Sequence, residues 1–250
     1  MYRNKYSRMK RTLVIGDVHG GLKGLKQALK RAEVTVDDQL IFLGDYVDGW
    51  SDSAQTIQFL IELEKTHQCE FIYGNHDAWC NDWLSKDLLK PLWLKHGGQA
   101  TIDSYQNISA EERLLHQEFF NKMKYYIIDD ENRLFIHAGF SSLHGPVKEF
   151  DQSYCNWDRT LWELAVAVHG KVSPDEISFP KRLNLFHEIY LGHTPTLNWG
   201  IEYPWQRMSV WNIDTGAAFK GKVSILDIET KDYWQSDRVM DLYPDEKGRN

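Results

Sequence analysis

Three short apolar runs in the first third of the chain constrain the fold, because each ends in glycine followed by an acid or an amide. They are RTLVIGD (11–17), QLIFLGD (39–45) and CEFIYGN (69–75). Apolar residues at helical spacing follow the first two runs, starting at Leu22 and at Ala54. Alternating strands and helices are typical of a parallel sheet that is buried on both faces. The pattern therefore predicts an α/β fold.

The rest of the chain predicts a second, more antiparallel half. Residues 77–122 are expected to be mostly helical, and Ser51 or Ser53 is expected to cap the helix that precedes them. Further elements are predicted as a hairpin over 125–140, a helix over 157–169 and strands over 188–194, 208–216 and 222–230. We expect one domain over residues 11–230, after a flexible basic leader (1–10) and before a C-terminal extension (231–250).

Composition and charge exclude several classes of partner. The net charge is −7, and no Lys/Arg cluster follows the N-terminal residues, so duplex nucleic acid is not an expected partner. Three cysteines without a CxxC pair favour a reducing compartment. No apolar run approaches the ~20 residues that cross a bilayer, and no secretory segment is recognisable. We expect a cytoplasmic protein without a membrane partner; its oligomeric state is left open.

The predicted strand ends carry side chains that can bind metal ions. These are Asp17, His19, Asp45, Asn75, His137 and His193. Ligands of open α/β sheets bind outside the carboxyl ends of the strands, so these residues would converge if the strands lay side by side. Any one of them alone would be interpreted as part of a turn or as an ordinary histidine. Together they indicate a metal site.

The types of ligand limit the metal and the reaction. Carboxylates, imidazoles and an amide oxygen suit Mn, Fe or Zn, and the set is larger than one tetrahedral zinc requires. It suffices for two divalent ions if one carboxylate bridges them. With a bridging hydroxide, about one positive charge would remain to meet a phosphate. The set therefore favours hydrolysis of phosphate esters by two divalent ions; we expect Mn, with Fe or Zn as alternatives that these ligands also accept.

Five motifs, in order along the chain, resemble the signature of the calcineurin-like metallophosphoesterases: GDVHG, GDYVD, GNHD, HAG and GHTP. More narrowly, they resemble the branch that contains Ser/Thr protein phosphatases and bacterial diadenosine tetraphosphatases. The closing segment WNIDTGAAFKGKVSILDI is similar to that of lambda-type phosphatases. The resemblance covers roughly residues 12–228, and it implies a single-domain, four-layer α/β/β/α sandwich.

The same resemblance implies a role for each motif residue. Asp17 and His19 would hold the first ion, and Asp45 would bridge the two ions. Asn75, His137 and His193 would hold the second ion. His76 would be the general acid that protonates the leaving oxygen. Asp48 would hold the far nitrogen of His76. Asn75 would also face the phosphate.

The chain departs from the family at Gly49 and Trp50. Family members that act on phosphoproteins usually have an arginine at the position of Gly49, and that arginine grips the phosphate. Arg159 matches a second phosphate-binding arginine of the lambda-type phosphatases and would then hold the phosphate alone. The alternative for Arg159 is an ion pair with Asp158 or Glu163.

The expected function is that of a protein phosphatase acting on phosphoserine or phosphothreonine, with phosphotyrosine as a further substrate. Its partner would be a phosphorylated protein or a small phosphoester. One alternative is a nucleotide hydrolase of the diadenosine tetraphosphatase type, in which Trp50, Trp79 or Trp83 stacks a purine instead of packing in the core. Another alternative is a metal-binding interaction module without catalysis.

Overall fold

The computed structural model describes residues 10–250, so all but the last residue of the predicted leader lies outside the described residues. The strands form two five-stranded sheets. Their bounds are β1 Thr12–Ile15, β2 Gln39–Phe42, β3 Gln68–Phe71, β4 Tyr126–Ile128, β5 Arg133–Ile136, β6 Glu188–Leu191, β7 Trp205–Arg207, β8 Val210–Asn212, β9 Ser224–Asp227 and β10 Tyr233–Gln235. The first sheet has the order β10-β9-β1-β2-β3, and the second has the order β4-β5-β6-β8-β7.

Helices cover the outer faces of the two sheets. The α-helices are α1 Leu22–Arg31, α2 Ser53–Glu64, α3 Asn75–Lys86, α4 Pro91–Trp93, α5 Gln99–Ser104, α6 Ala110–Lys122, α7 Thr160–Val168 and α8 Val239–Leu242. A π-helical turn, Leu94–Gly98, joins α4 to α5. The 3-10 turns are Pro146–Lys148, Gln152–Asn156, Lys181–Asn184 and Thr196–Trp199. Within residues 10–250, no helix has the length and apolar character needed to span a membrane.

The central strands β1, β2, β5 and β6 are mostly apolar because both of their faces are buried. In β1, Leu13 and Ile15 pack with residues of α1 and α2, whereas Val14 packs between the two sheets. In β5, Phe135 faces the first sheet and Leu134 packs with residues of α7. Successive side chains of a strand point to opposite faces, so each sheet contacts helices on one side and the other sheet on the other. This arrangement confirms the predicted four-layer sandwich and the single domain.

Both sheets are mixed, and the strand ends that carry the motifs do not lie side by side in one sheet. Strands β1, β2 and β3 are parallel, whereas β9 pairs antiparallel with β1. In the second sheet β5, β6 and β8 are parallel, and β7 pairs antiparallel with β8. The hairpin predicted over 125–140 is confirmed as the antiparallel pair β4 and β5. The motif strands therefore belong to two facing sheets.

Two helix starts differ from the prediction. Helix α2 follows Asp52, and neither serine that was expected to cap it supplies a side-chain cap. Helix α7 begins at Thr160 and not at 157, because the carboxylate of Asp158 accepts hydrogen bonds from the N–H groups of Thr160 and Leu161. Side chains that accept from such free N–H groups set the start of a helix.

The C-terminal residues are part of the fold, although no strand was predicted among them. Strand β10 pairs with β9, and α8 packs against α1. The domain limits at 11–230 and 231–250 stay predictions.

Candidate active site

The carboxyl ends of the two sheets meet at one point. Nδ1 of His137, after β5, donates to the carbonyl of Leu43, after β2, over 2.8 Å. The N–H of His193, after β6, lies 3.2 Å from Oδ2 of Asp17, after β1. Gly192 permits this approach, because a Cβ at that position would overlap Oδ1 of Asp17. The predicted strand-end motifs therefore come together across the two sheets.

Tight turns aim these side chains at a common centre. Four non-glycine residues of the site have a left-handed backbone, with φ of 54° at His19, 54° at Asp45, 72° at Asp48 and 66° at His193. Residues with a Cβ seldom adopt positive φ, and such strain concentrates at functional sites. The strained turns are therefore evidence that the positions of these side chains matter more than local backbone preference.

Two groups of side chains have the spacing of metal ligands, and they share Asp45. One group is His19, Asp45 and His76, and the other is Asp45, His137 and His193; within each, the ligand atoms lie within 4.8 Å of one another. Oδ2 of Asp45 is 3.6 Å from Nε2 of His19 and 3.4 Å from Nε2 of His137. A carboxylate common to both groups has the position that a bridging ligand of two ions requires.

The two other predicted ligands adjoin these groups. Oδ2 of Asp17 lies 3.7 Å from Nε2 of His19. Oδ1 of Asn75 lies 2.9 Å from Nδ1 of His193 and 3.2 Å from Nε2 of His137. All the predicted ligands are thus brought together, and all are buried.

The hydrogen bonds around the histidines suit metal binding. Nδ1 of His19 faces the carbonyl of Asp48 at 3.0 Å, as Nδ1 of His137 faces Leu43, which leaves each Nε2 for the cluster. Backbone partners of this kind orient metal-binding imidazoles. Nε2 of His193 is buried and has no hydrogen-bond partner among residues 10–250. Its Nδ1 instead faces the cluster: Nδ1 of His193 and Nε2 of His137 lie 2.9 and 3.2 Å from Oδ1 of Asn75, so these three atoms converge as ligands of one ion would.

Burial and mutual charge give the cluster unusual proton affinities. Burial raises the pKa of Asp17 to about 7 and that of Asp214, beside it, to about 8. Burial also opposes the ionised form of Asp45, but the neighbouring histidines hold its pKa well below the ordinary value. Burial likewise opposes the charged form of His137, but Asp45 raises its pKa to about 9. Protons and divalent cations would compete for these groups, as in metal sites generally.

His76 lies at the edge of the cluster and contacts Asp48. Nδ1 of His76 is 2.6 Å from Oδ2 of Asp48, and both side chains are buried. Trp93 donates to the same oxygen over 2.7 Å, and Thr101 donates to Oδ1 over 2.6 Å. Burial lowers the pKa of His76, and the charges of Asp45 and Asp48 oppose that effect. Hydrogen bonds to both oxygens therefore hold the carboxylate of Asp48 in place, and the carboxylate orients the imidazole of His76.

A cleft of about 290 Å³ opens directly above the cluster. Its walls combine aromatic side chains, two arginines and residues of both ligand groups. The lining residues are His19, Asp45, Asn75, His76, Trp79, Leu92, His96, Trp157, Arg159, His193, Pro195, Asn198, Asp214, Phe219 and Arg249. A cleft with an apolar wall and a few convergent polar groups is the usual form of a substrate site.

Of the three tryptophans expected near the cleft, only Trp79 lines it. Trp50 and Trp83 pack in the core, so the packing alternative is correct for these two. The more exposed aromatic residue of the cleft is Trp157, whose side chain is 41% exposed and whose ring lies 5.0 Å from that of Trp79, edge to face. Trp157 was not singled out in the sequence, because a tryptophan beside a helix start is usually a packing residue.

Arg159 faces the cleft and not the acids beside it. Its Nη1 donates to Oγ1 of Thr194 over 3.1 Å. Asp158 accepts from the backbone at the start of α7, and no ion pair joins Arg159 to Asp158 or Glu163 within the described part of the chain. The guanidinium is therefore left for an anion in the cleft.

Two further residues of the cleft were missed by sequence reasoning. Asp214 follows the end of β8, so the same strand-end signal that found the ligands could have found it. Arg249 comes from the C-terminal segment (231–250), and no motif or strand end near it in the sequence points to the cleft. The charge of Arg249 acts after burial in lowering the pKa of His19, which indicates that the guanidinium is close to the cluster.

The chain belongs to the calcineurin-like phosphoesterase family, whose sequence model matches residues 10–207. Within that family it is similar to the asymmetrical bis(5'-nucleosyl)-tetraphosphatase PrpE of Oceanobacillus iheyensis, with 26% identity over 235 residues. The match covers 88% of this chain and 89% of the relative. The protein of the same name from Bacillus thuringiensis is also 26% identical, with 85% of this chain and 88% of the relative covered.

Solved structures agree on the fold. A protein provisionally described as a diadenosine tetraphosphatase superposes with a TM-score of 0.62 at 15% identity, covering 92% of this chain and 94% of the other. A protein serine/threonine phosphatase from Saccharomyces cerevisiae superposes with a TM-score of 0.61 at 13% identity, covering 94% of this chain and 82% of the other. At such identities these likenesses concern the architecture alone. The site is thus that of a metallophosphoesterase, and the reaction class is phosphoester hydrolysis.

Proposed function

We propose that this phosphoesterase hydrolyses nucleoside polyphosphates of the bis(5'-nucleosyl) tetraphosphate class. The observation that carries the proposal is the aromatic wall of the cleft, where Trp157 is exposed beside Trp79 and next to the ligand groups. Stacking of a base on an aromatic side chain contributes about 1–3 kcal/mol. The names of the curated relatives support the same substrate class.

The comparisons favour this alternative over the phosphoprotein substrate that the motifs first indicated. The relatives named as tetraphosphatases match in sequence over most of this chain. The serine/threonine phosphatase is similar in architecture only. A phosphopeptide can still enter an open cleft, so it belongs among the substrates to be tested.

Two divalent ions fit the buried ligand set, and Mn is the ion that we expect. Asp17 and His19 would hold the first, Asp45 would bridge, and Asn75, His137 and His193 would hold the second. Bound divalent ions lower the pKa of a shared water and compensate the charge of a phosphate. The convergence of Nδ1 of His193 with Oδ1 of Asn75 and the shared position of Asp45 support this assignment.

His76 would donate a proton to the leaving oxygen, and Asp48 would keep it oriented. The contact between Nδ1 and the Asp48 carboxylate leaves Nε2 to face the cleft. Arg159, with the amide of Asn75, would hold the phosphate oxygens. A guanidinium can give a phosphate two parallel charge-assisted hydrogen bonds. These groups bind, orient and protonate without any change of fold.

A substrate panel with a matched variant tests the substrate class. A Mn²⁺-supplemented enzyme would be given a dinucleoside tetraphosphate, phosphoserine, phosphothreonine and phosphotyrosine peptides, and an aryl phosphate. We expect kcat/KM for the dinucleotide to exceed that for each peptide by at least about tenfold. Trp157→Ala should raise KM for the dinucleotide and leave the aryl phosphate, which has no base, nearly unchanged.

The other outcomes identify the rival functions. Faster hydrolysis of the phosphopeptides, with Trp157→Ala neutral on the dinucleotide, would identify a protein phosphatase. Binding of metal without hydrolysis of any substrate in the panel would identify an interaction module.

A further inference from the structure

We propose that Arg249, from the C-terminal segment, binds the phosphoryl group of the substrate together with Arg159. Both arginines line the one cleft that also exposes His19, Asp45 and His76. The inference rests on the proposed phosphoester hydrolysis. It adds Arg249 as a second guanidinium that holds the phosphate beside Arg159. It also gives the C-terminal segment a part in the site.

The aliphatic part of Arg249 lies in a channel that two glycines leave open. Cγ of Arg249 would be 3.3 Å from a Cβ at Gly49 and 3.2 Å from a Cβ at Gly97. Both glycines have positive φ, 116° and 103°. The backbone N–H of Arg249 donates to the carbonyl of Ala218 over 2.9 Å, which fixes the start of the side chain. A side chain at either glycine would occupy the path that Arg249 now takes.

Trp50, next to Gly49, anchors the segment that brings Arg249 to the cleft. Its ring stacks on Tyr243 with centroids 5.5 Å apart. The neighbouring Ser51 donates from its N–H and its hydroxyl to the carboxylate of Glu246, over 2.9 and 2.6 Å. The Gly49-Trp50 pair, which replaces the expected family residues, is therefore the part of the loop that receives the C-terminal segment.

The guanidinium of Arg249 is left for an anion. Its nearest polar contact is Nδ1 of His96, at 3.5 Å, and its Cζ lies 5.2 Å from the ring centre of Phe219. Across residues 10–250, it has no ion pair with a carboxylate. Two arginines without acidic partners in one cleft attract an anion of more than one charge, and planar guanidinium groups match the geometry of phosphate.

Binding of inorganic phosphate by the metal-loaded full chain tests the inference without any nucleotide. Wild type, Arg249→Ala, Arg249→Lys and the control Arg238→Ala would be compared. Arg238 belongs to the same segment but lies outside the cleft, paired with Glu202. The measurements are the inhibition constant of phosphate against an aryl phosphate, the phosphate-induced rise in Tm, and the metal content.

We expect Arg249→Ala to weaken phosphate inhibition by about tenfold or more and to reduce the Tm rise. Arg249→Lys should recover part of the effect, added guanidinium ion should partly restore Arg249→Ala, and Arg238→Ala should match wild type. Unchanged phosphate inhibition in Arg249→Ala would overturn the inference. Loss of metal in that variant would overturn it too, because the arginine would then support the ligand cluster.

This experiment and the test of the substrate class can fail independently of each other. If wild type does not hydrolyse dinucleotides but needs Arg249 to bind phosphate, only the nucleotide assignment is refuted. A wild type that hydrolyses dinucleotides and binds phosphate equally well without Arg249 refutes this inference alone.

Discussion

Oδ2 of Asp48 lies 2.6 Å from Nδ1 of His76, and the same oxygen accepts a hydrogen bond from the indole of Trp93. The hydroxyl of Thr101 donates a hydrogen bond to the other carboxylate oxygen of Asp48. All these side chains are buried, so the carboxylate has donors on both oxygens and little freedom to move. Such a carboxylate stabilises a protonated imidazole and fixes which nitrogen faces the substrate. This geometry supports the proposed role of His76 as the proton donor.

His76→Asn should lower turnover by about 10²–10⁴, the usual contribution of general acid–base catalysis. The loss should be smaller for aryl phosphates, whose leaving groups need little protonation, than for alkyl phosphates. Metal content, measured by elemental analysis, should stay near that of wild type. A variant that loses metal would instead assign His76 to the ligand group of His19 and Asp45, whose spacing it also fits.

Asp48→Asn provides the matched comparison. It keeps the volume and one acceptor oxygen but removes the charge that favours protonated His76. We expect a smaller loss with the same dependence on the leaving group. An equal loss for alkyl and aryl phosphates would indicate that Asp48 supports the loop and not the acid.

The α/β core could be predicted from the sequence because a helical pattern follows each of the first two apolar runs, whereas the four layers were implied only by the resemblance to the calcineurin-like phosphoesterases. The pairing of the strands could not, since the same runs fit one sheet or two. Strand β10 was missed because residues 233–235, Tyr-Trp-Gln, form a short edge strand without clear alternation. Its pairing with β9 is a tertiary contact that no local pattern encodes.

The ligand cluster could be predicted because each ligand lies in the turn that follows a strand, within four residues of its carboxyl end. Arg249 could not, because it reaches the cleft through contacts with residues far away in the sequence, such as the packing of Tyr243 on Trp50 and the bond from its own N–H to Ala218. The sequence shows that an arginine is missing at Gly49, but only the fold shows which side chain passes through the space beside it.

Arg159→Ala should raise KM for every phosphomonoester by about tenfold and lower kcat, without a change in metal content. The physical reason is that Arg159 lines the cleft and, among the side chains of residues 10–250, donates a hydrogen bond only to Thr194. Arg159→Lys should recover the charge but not the paired hydrogen bonds, so its KM should be intermediate. Steady-state kinetics of Arg159→Ala identical to wild type would remove this residue from the phosphate site.

Removal of metal should abolish hydrolysis and lower Tm. The buried acids Asp17, Asp45 and Asp214 repel one another, and bound cations relieve that repulsion. Prolonged chelation followed by Mn²⁺ should restore activity, with close to two ions per chain by elemental analysis. His193→Ala should reduce the metal content, whereas His187→Ala, outside the cleft, should not. Full activity in a chelated, metal-free sample would contradict the dinuclear site.

His116 should make stability depend on pH away from the active site. It is buried, with Nδ1 2.9 Å from the hydroxyl of Tyr105 and Nε2 3.1 Å from Oε1 of Gln58, and burial lowers its pKa to about 4. The folded state thus favours the neutral ring, and this stabilisation is present above pH 6.5 and lost as the pH falls towards 4.

The comparison with His116→Gln isolates that effect. Between about pH 7 and about pH 5, the free energy of unfolding of wild type should fall by about 2 kcal/mol more than that of the variant. Urea titrations at several pH values measure the difference. Parallel curves for the two proteins would show that His116 takes up its proton equally in the folded and unfolded chain.

Gly49→Arg, which introduces the residue that the family usually has here, should impair the enzyme and not improve it. The backbone at Gly49 has φ of 116°, where a side chain is strained by about 1–3 kcal/mol. A Cβ there would also lie 3.3 Å from Cγ of Arg249 and 3.4 Å from the carbonyl of His19. The new side chain is therefore strained at its backbone and also presses on the side chain of Arg249.

We expect Gly49→Arg to lower Tm and to weaken inhibition by phosphate, and Gly49→Ala to separate the causes. The alanine variant carries the backbone strain and the Cβ contact without a second guanidinium. If it reproduces most of the loss, the channel around Arg249 is what position 49 has to preserve. Tighter phosphate inhibition in Gly49→Arg would contradict this account. It would mean that the loop can take a path in which residue 49 itself reaches the phosphate, and that Arg249 occupies a space the enzyme does not need.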